Sequence, residues 1–204
     1  MDGVKIESVK EIKFLGVTID DQISWKSHIK HVQSKVSRSI AVLNKAKLVL
    51  DHKSLRMLYC SLVLPYLTYC AEVWGNTYIS TIHPLLILQK KAIRVIHGAG
   101  YRDHTNSLFL QSKLLKFRDL VELKTTQIAY KAKNNLLPGN IQKLFIEREE
   151  GYNLRGKSKF KTLNARTTRK MFCISICGVR LWNSLSVELK ECPNINQFKK
   201  RYKK

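Results

Sequence analysis

Acidic residues are the scarce component of this chain. Its 204 residues carry 15 Asp and Glu against 37 Lys and Arg, a formal charge of +22. A surface so one-sided repels itself, and the cost is tolerable mainly when a polyanion neutralises it. Nucleic acid is the commonest such partner, because each phosphate met by Lys or Arg releases condensed counterions. The shortage is also local. Between Gly151 and Val187 there is no acid at all, while Arg155, Lys157, Lys159, Lys161, Arg166, Arg169, Lys170 and Arg180 fall in or beside that stretch, and the chain ends Lys199-Lys200-Arg201-Tyr202-Lys203-Lys204.

Other shortages exclude whole classes. Glycine and proline are few, 9 and 4, so a collagenous or linker-like chain is excluded. No glycine-rich phosphate loop exists, and Gly98-Ala99-Gly100 is too short to cradle a phosphate and reads as a helix stop. No Ser, His and Asp order suggests a hydrolase. The five cysteines (Cys60, Cys70, Cys173, Cys177, Cys192) are odd in number and irregular in spacing. Met1 is followed by Asp-Gly-Val-Lys, with no apolar leader. Both features point to reduced thiols and a nuclear or cytoplasmic, intracellular protein. The longest uncharged run, Met57 to Ala71, falls short of the roughly 18 to 20 residues a bilayer needs and contains Pro65. It reads as a buried helix. With 44% apolar residues the chain can form a core.

Val9 to Ile19 reads as strand, with Gly16 interrupting it at a bulge or a close backbone approach. Asp20-Asp21-Gln22 turns the chain. Ser24 is the expected N-cap of a helix whose apolar stripe is Ile29, Val32, Val36, Ile40 and Leu43. Asp51 caps a second helix, which Pro65 kinks or breaks. A third is expected from near Pro84 to Gly98. A fourth and fifth are expected over roughly 105–111 and 117–134, with Pro138-Gly139 ending the bundle. Composition shifts at Glu147-Arg148-Glu149-Glu150-Gly151. An extended basic stretch follows, then a small apolar unit around Leu181-Trp182 and a short helix holding Ile195 and Phe198. Because the stretch from 151 onward is separated by that shift, truncation at Glu150 is expected to spare most of the helical fold. Trp74, set beside Gly75 after the uncharged run, is expected inside.

Three constellations invite metal chemistry. Polymerases hold Mg²⁺ with paired aspartates, but Asp20-Asp21 has only Asp2, Glu7 and Glu11 as carboxylates within reach in sequence, and reads as turn and cap. His28 and His31 lie one helical turn apart without the acid of a zincin pattern. Cys173 and Cys177 with Cys192 lack a fourth ligand, since no histidine follows His104, and read as structural thiols. No catalytic residue, metal ligand or cofactor is therefore assigned. Basic-aromatic interleaving carries more: Lys13-Phe14, Trp25-Lys26, Arg56 near Tyr59, and Lys159-Phe160-Lys161 set cations beside rings, which can hold phosphates and stack bases. Phe14 and Trp25, taken singly, are expected in the core, Trp25 with partial exposure.

Four segments in this order resemble the region downstream of the catalytic core in non-LTR (LINE-type) retrotransposon reverse transcriptases, jockey-like elements above all. They are Phe14-Leu15-Gly16-Val17-Thr18-Ile19-Asp20 with Ser24-Trp25-Lys26; Leu58-Tyr59 through Pro65-Tyr66-Leu67 and Tyr69 to Val73-Trp74-Gly75; Leu88-Gln89-Lys90-Lys91-Ala92-Ile93-Arg94; and Arg180-Leu181-Trp182-Asn183-Ser184-Leu185 with Phe198-Lys199-Lys200. The resemblance implies that Phe14-Leu15-Gly16 belongs to a palm–thumb hairpin supporting the primer end. The helices after it would be a thumb that closes on template–primer duplex. A catalytic palm with its aspartate pair is expected upstream and absent from this chain, so the chain alone should not polymerise, and Mg²⁺ would serve only an intact parent.

The expected fold is mainly α: a short N-terminal β hairpin over 1–23, a thumb-like helical bundle over 24–146, and a small basic irregular α/β module over 147–204. The expected partner is RNA and/or DNA, with no membrane and no small-molecule substrate. The residues assigned to it are Lys13, Phe14, Leu15, Gly16, Lys26, Lys30, Arg56, Lys90, Lys91, Arg94, Arg155, Lys157, Lys159, Lys161, Arg166, Arg169 and Lys170. The alternatives are a non-enzymatic basic RNA-, DNA- or chromatin-associated protein and a non-functional transposon remnant.

Overall fold

The computed structural model describes residues 8–148 and 160–203. In chain order the elements are β1 (Glu11–Phe14), β2 (Val17–Asp20), α1 (Lys26–Ala46), α2 (His52–Leu62), α3 (Leu64–Thr68), α4 (Ala71–Trp74), α5 (Ile79–His97), α6 (Asn106–Ser112), α7 (Phe117–Lys133), α8 (Gly139–Gln142), α9 (Thr168–Met171), α10 (Ile174–Ser184), α11 (Val187–Lys190) and α12 (Ile195–Tyr202). The fold is mainly α with a short N-terminal hairpin, as its sequence suggests. No helix among the described residues is long and apolar enough to cross a membrane. The contacts divide the chain into two compact units, Met1–Cys70 with Thr77–Leu108, and Ala71–Asn76 with Phe109–Lys204.

The first unit opens with the hairpin, paired Glu11 to Asp20, Ile12 to Ile19, Lys13 to Thr18 and Phe14 to Val17. Leu15 and Gly16 form its two-residue turn with φ of 45° and 82°. Positive φ at both central positions matches the right-handed twist of the flanking strands, which is why Asn-Gly is the usual choice there. Gly16 takes this conformation freely. Leu15 does not, and its Cβ costs on the order of 1 kcal/mol in the left-handed region. A tertiary bond holds the turn: the Tyr69 hydroxyl donates to the Leu15 carbonyl at 2.6 Å.

The Asp20 carboxylate organises the passage from β2 into α1. It accepts from the backbone N–H of Gln22 (3.1 Å), Ser24 (2.9 Å) and Trp25 (2.9 Å). Ile23 and Trp25 both adopt positive φ around it. The expected cap, Ser24, makes only a long 3.4 Å contact with the Lys26 amide. The cap therefore comes from a carboxylate five residues before the helix's N-terminal flank, where its charge also suits the helix dipole. Burial pushes the Asp20 carboxyl up, but the amides of Ser24, Trp25 and Gln22 together outweigh it and hold it below the ordinary carboxylate value. A depressed folded-state value means stability that is present above the ordinary pKa and lost as pH falls through the folded one. Asp20→Asn is thus expected to cost about 0.5–2 kcal/mol at pH 7. The gap to wild type should narrow as pH falls below about 4. Urea melts at pH 7 and pH 3 check it, and a pH-independent gap would contradict the role.

α1 buries the stripe its periodicity marks: Ile29, Val32, Val36, Ile40 and Leu43 are each at most 4% exposed. They pack on α2, α3 and α5. One polar pair sits in this core, Gln89 Nε2 donating to the Tyr59 hydroxyl at 2.9 Å. Burial pushes that phenol up to about 12. Asp51 caps α2 as expected, accepting from the Ser54 amide, and Pro65 separates α2 from α3 by entering the first turn of the latter.

Three expectations need correction in this unit. α5 begins at Ile79 rather than near Pro84, which lies inside it. The missing proline N–H deprives only the Ser80 carbonyl, and Ser80 is exposed, so water can serve it. Phe14 is 61% exposed, because β2 is the strand that packs on α1 and β1 stays outside. Trp25 is in the core as expected, but at 8% exposed it lacks the partial exposure expected of it, being drawn inward at the Asp20-capped turn.

The second unit is built on α7, which packs with α4, α10 and α12. Trp74 is fully buried and stacks on Phe117 with ring centroids 5.5 Å apart. Gly75 must be glycine for a steric reason: a Cβ there would lie 2.5 Å from the Ala71 carbonyl and 2.5 Å from the Val121 side chain. Further along α7, Tyr130 lies 5.0 Å from Phe198 and 6.4 Å from Trp182, ring to ring, and its hydroxyl donates to the Cys192 carbonyl. Phe145 and Phe160 complete this cluster. The Asn183 amide clamps Phe160 through both backbone groups, accepting from its N–H at 3.0 Å and donating to its C=O at 2.9 Å. The Leu181-Trp182 unit therefore shares a core with α7, and the expectation that the chain beyond Glu150 adds little to the helical fold is corrected.

Candidate nucleic-acid interface

The assigned residues of the first unit fall on three features. Lys13, Phe14, Leu15 and Gly16 form the exposed hairpin tip, with Leu15 74% exposed. Lys26 and Lys30 stand exposed one turn apart at the start of α1. Lys90 and Lys91 are exposed on α5. Lys30 also borders a groove of about 400 Å³ whose α1 wall is Lys30, Gln33, Ser34 and Ser37, and whose α5 wall is Pro84, Ile87 and Leu88. Lys91 continues the α5 wall, three residues beyond Leu88.

One wall thus offers a cation, an amide and hydroxyls, and the other an apolar surface half open to water, with Ile87 51% exposed. That division suits a sugar–phosphate backbone on one side and the flat faces of bases or the sugar ring on the other. Gln33, Ser34 and Ser37 were not among the residues picked from sequence. Their spacing from Lys30 would have found them, since positions 30, 33, 34 and 37 share one helix face.

One assigned cation has structural employment, and another is drawn partly inside. Arg94 donates to the Asp103 carbonyl through Nε (2.9 Å) and Nη2 (2.8 Å), tying down the loop after α5. Arg56 is half-buried, and the ring near it in sequence, Tyr59, is in the core with Gln89, so the two do not form a surface platform.

In the second unit Lys161, Arg166, Arg169 and Lys170 are exposed. Arg169 and Lys170 ride on the short α9, capped by Thr167, whose hydroxyl accepts from the Lys170 amide. Phe160 is 2% exposed while Lys161 next to it is exposed, so the two do not form a surface platform. Arg155, Lys157 and Lys159 lie outside the described residues. The ion pairs Arg118–Glu122 and Lys133–Glu147 involve none of the assigned cations.

Asp20, His28, Cys177 and Cys192, four of the groups that invited metal chemistry, are engaged otherwise. The Asp20 carboxylate is the cap described above. His28 is buried, and its Nδ1 accepts from the Thr18 amide at 3.3 Å. Burial, helped by His31, holds its pKa below the ordinary histidine value, so the ring is neutral at pH 7. The Cys177 thiol donates to the Phe172 carbonyl, and burial pushes it up to about 11, far from a reactive thiolate. Cys192 is buried and contacts the Glu188 carbonyl. Among the described residues no group of three or more His, Cys, Asp and Glu could hold a metal ion. What the exposed groups can do is hold phosphates and present an apolar tip.

Known proteins resemble this chain in part. The RNA-directed DNA polymerase from mobile element jockey of Drosophila funebris is 28% identical over 126 residues, 59% of this chain and 14% of its own length. That of Drosophila melanogaster is 29% identical over 146 residues, 69% of this chain and 16% of its own length. A probable RNA-directed DNA polymerase from transposon BS of Drosophila melanogaster is 24% identical over 104 residues, 50% of this chain and 12% of its own length. The chain thus spans 12 to 16% of the length of these relatives. No protein-family model matches it, and no solved structure does. The sequence is related to the reverse transcriptases of jockey-type non-LTR retrotransposons.

Proposed function

We propose that this chain is the nucleic-acid-holding part of a non-LTR RNA-directed DNA polymerase, acting downstream of a catalytic palm on a template–primer duplex. The helices of the first unit act as a thumb. Lys26, Lys30, Lys90 and Lys91 take phosphates, and the Phe14-Leu15-Gly16 tip supports the primer terminus. Positioning of this kind accelerates a reaction without touching its chemistry, by holding reacting atoms in near-attack geometry. The carboxylates and Mg²⁺ ions of polymerisation belong to the palm in this reading, and no chemical step is assigned to this chain.

The observation that carries the reading is Leu15. It is 74% exposed and holds φ of 45° in a turn where asparagine would be unstrained. Strain kept at an exposed apolar residue, with the turn braced by Tyr69, supports a contact role rather than a folding one. Leu15→Asn is therefore expected to raise the melting temperature while weakening binding to a duplex with a recessed 3′ end more than to a blunt duplex of equal length. Fluorescence anisotropy on the two labelled duplexes and a thermal melt check this. Equal losses on both duplexes, or none, would leave the chain a general basic nucleic-acid binder with no primer-end contact.

A further inference from the structure

We propose that His52 and His97 form a two-imidazole site for a divalent transition-metal ion of the zinc class. His52 is the first residue of α2 and His97 the last of α5, both in the first unit. Their Nε2 atoms face each other at 3.4 Å, with ring centroids 4.5 Å apart and planes inclined by 62°. Two imidazole nitrogens bound to one tetrahedral ion at about 2.0–2.1 Å stand about 3.3–3.4 Å apart. The nitrogen spacing of the pair is that of two ligands on one ion, and the ring centroids, 4.5 Å apart, must swing outward for both lone pairs to converge on it.

A second observation is independent of this distance. His97 also hydrogen-bonds the Leu108 backbone. With Nε2 turned to His52, that bond falls to Nδ1. An Nδ1–H held by a backbone group fixes the tautomer whose Nε2 carries the lone pair, the usual support of a metal-bound histidine. Burial first, then the neighbouring His52, hold the His97 pKa below the ordinary value. Without metal, His52 Nε2–H donates to His97 Nε2. With metal, His52 carries its proton on Nδ1 instead, and both Nε2 atoms bind, so neutral rings release no proton.

The pair that sequence spacing favours, His28 and His31, lacks this arrangement, since His28 Nδ1 is already used by the Thr18 amide. Lys53 next to His52 opposes a cation and keeps the site weak. Arg94, one turn before His97, is turned to the Asp103 carbonyl. No third His, Cys, Asp or Glu joins the pair among the described residues, so water completes the shell and the ion keeps open positions.

The test is titration of the full chain with zinc chloride at pH 7.5, followed by ¹⁵N-detected NMR of the histidine rings. This readout separates imidazole binding from any thiol binding by the five cysteines. Saturable shifts of the His52 and His97 Nε2 resonances, with His97 Nδ1 still protonated, are expected. His52→Gln should abolish the His97 shift, His97→Gln should abolish the His52 shift, and His83→Gln should change neither. His52 is exposed, so His52→Gln should melt like wild type without zinc; His97 is half-buried and bonded to the Leu108 backbone, so His97→Gln should melt lower while staying folded at the temperature of the titration. Absence of saturable shifts at these rings, or persistence of either shift after loss of its partner, would overturn the proposal.

Discussion

Replacing Trp182 by alanine is expected to unfold the part of the chain built on α7. Trp182 has no exposed surface and meets Tyr130, Phe160 and Phe198 within 6.4 Å between ring centroids. Truncating such a side chain costs about 3–5 kcal/mol. A domain usually has about 5–15 kcal/mol in all. Deleting the residues after Arg148 should be worse, since it removes Phe160, Trp182 and Phe198 together and strips one side of α7. Trp74→Ala, which loses the stack on Phe117, should fall in the same range as Trp182→Ala. Phe14→Ala is the contrast: its ring is 61% exposed and its loss should leave the melt almost unchanged. Urea melts followed by near- and far-UV circular dichroism decide the matter. A truncated chain that keeps a cooperative transition and its full helical signal would mean that α7 is supported from elsewhere.

Raising salt from 50 to 200 mM is expected to weaken nucleic-acid binding by about 10³- to 10⁵-fold if some six to ten phosphates are contacted. The described, exposed candidates are Lys13, Lys26, Lys30, Lys90, Lys91, Lys161, Arg166, Arg169 and Lys170. Were all of them to engage, log K would fall against log salt with a slope of about −8. Removing one of them, Lys30→Gln for instance, should flatten the slope by about one unit without altering preference among sequences. Arg94→Gln should behave differently. Its guanidinium clasps the Asp103 carbonyl, so the variant should loosen the loop after α5 and lower the melting temperature. A shallow salt dependence, or tight preference for one short sequence, would indicate base-edge reading instead.

Much of this protein is legible in its sequence, and the reasons are local. The stripe of α1 has helical period, so its buried face was readable before any packing was known. Asp51 and Gly98 act within one turn of the helix they bound, and both do what their residue types suggest. Gly16 is legible as a break in the strand pattern, but residue type alone places it at a bulge within one strand rather than at a hairpin turn. The order of four segments along the chain identified the kind of polymerase it resembles. The excess of positive charge is a property of composition, and no arrangement of the chain can hide it.

Tertiary structure decided what depends on residues far apart in sequence. Asp20 rather than Ser24 caps α1, because a carboxylate reaches back only once the turn has folded around it. Phe14 is outside and Trp25 inside, because β2 and not β1 lies on α1, a choice that strand alternation does not encode. Pro84 sits within a helix, where the residue whose carbonyl it deprives, Ser80, is exposed to water. Lys159-Phe160-Lys161 reads as an interleaved surface motif, yet Asn183 draws Phe160 into the cluster around Tyr130. The meeting of His52 and His97 is separated by 45 residues, and no spacing rule reaches that far. Local signals specify elements because backbone hydrogen bonding and side-chain period act over a few residues. Which face turns inward, and which distant side chains meet, is set by the free energy of burying whole surfaces against one another.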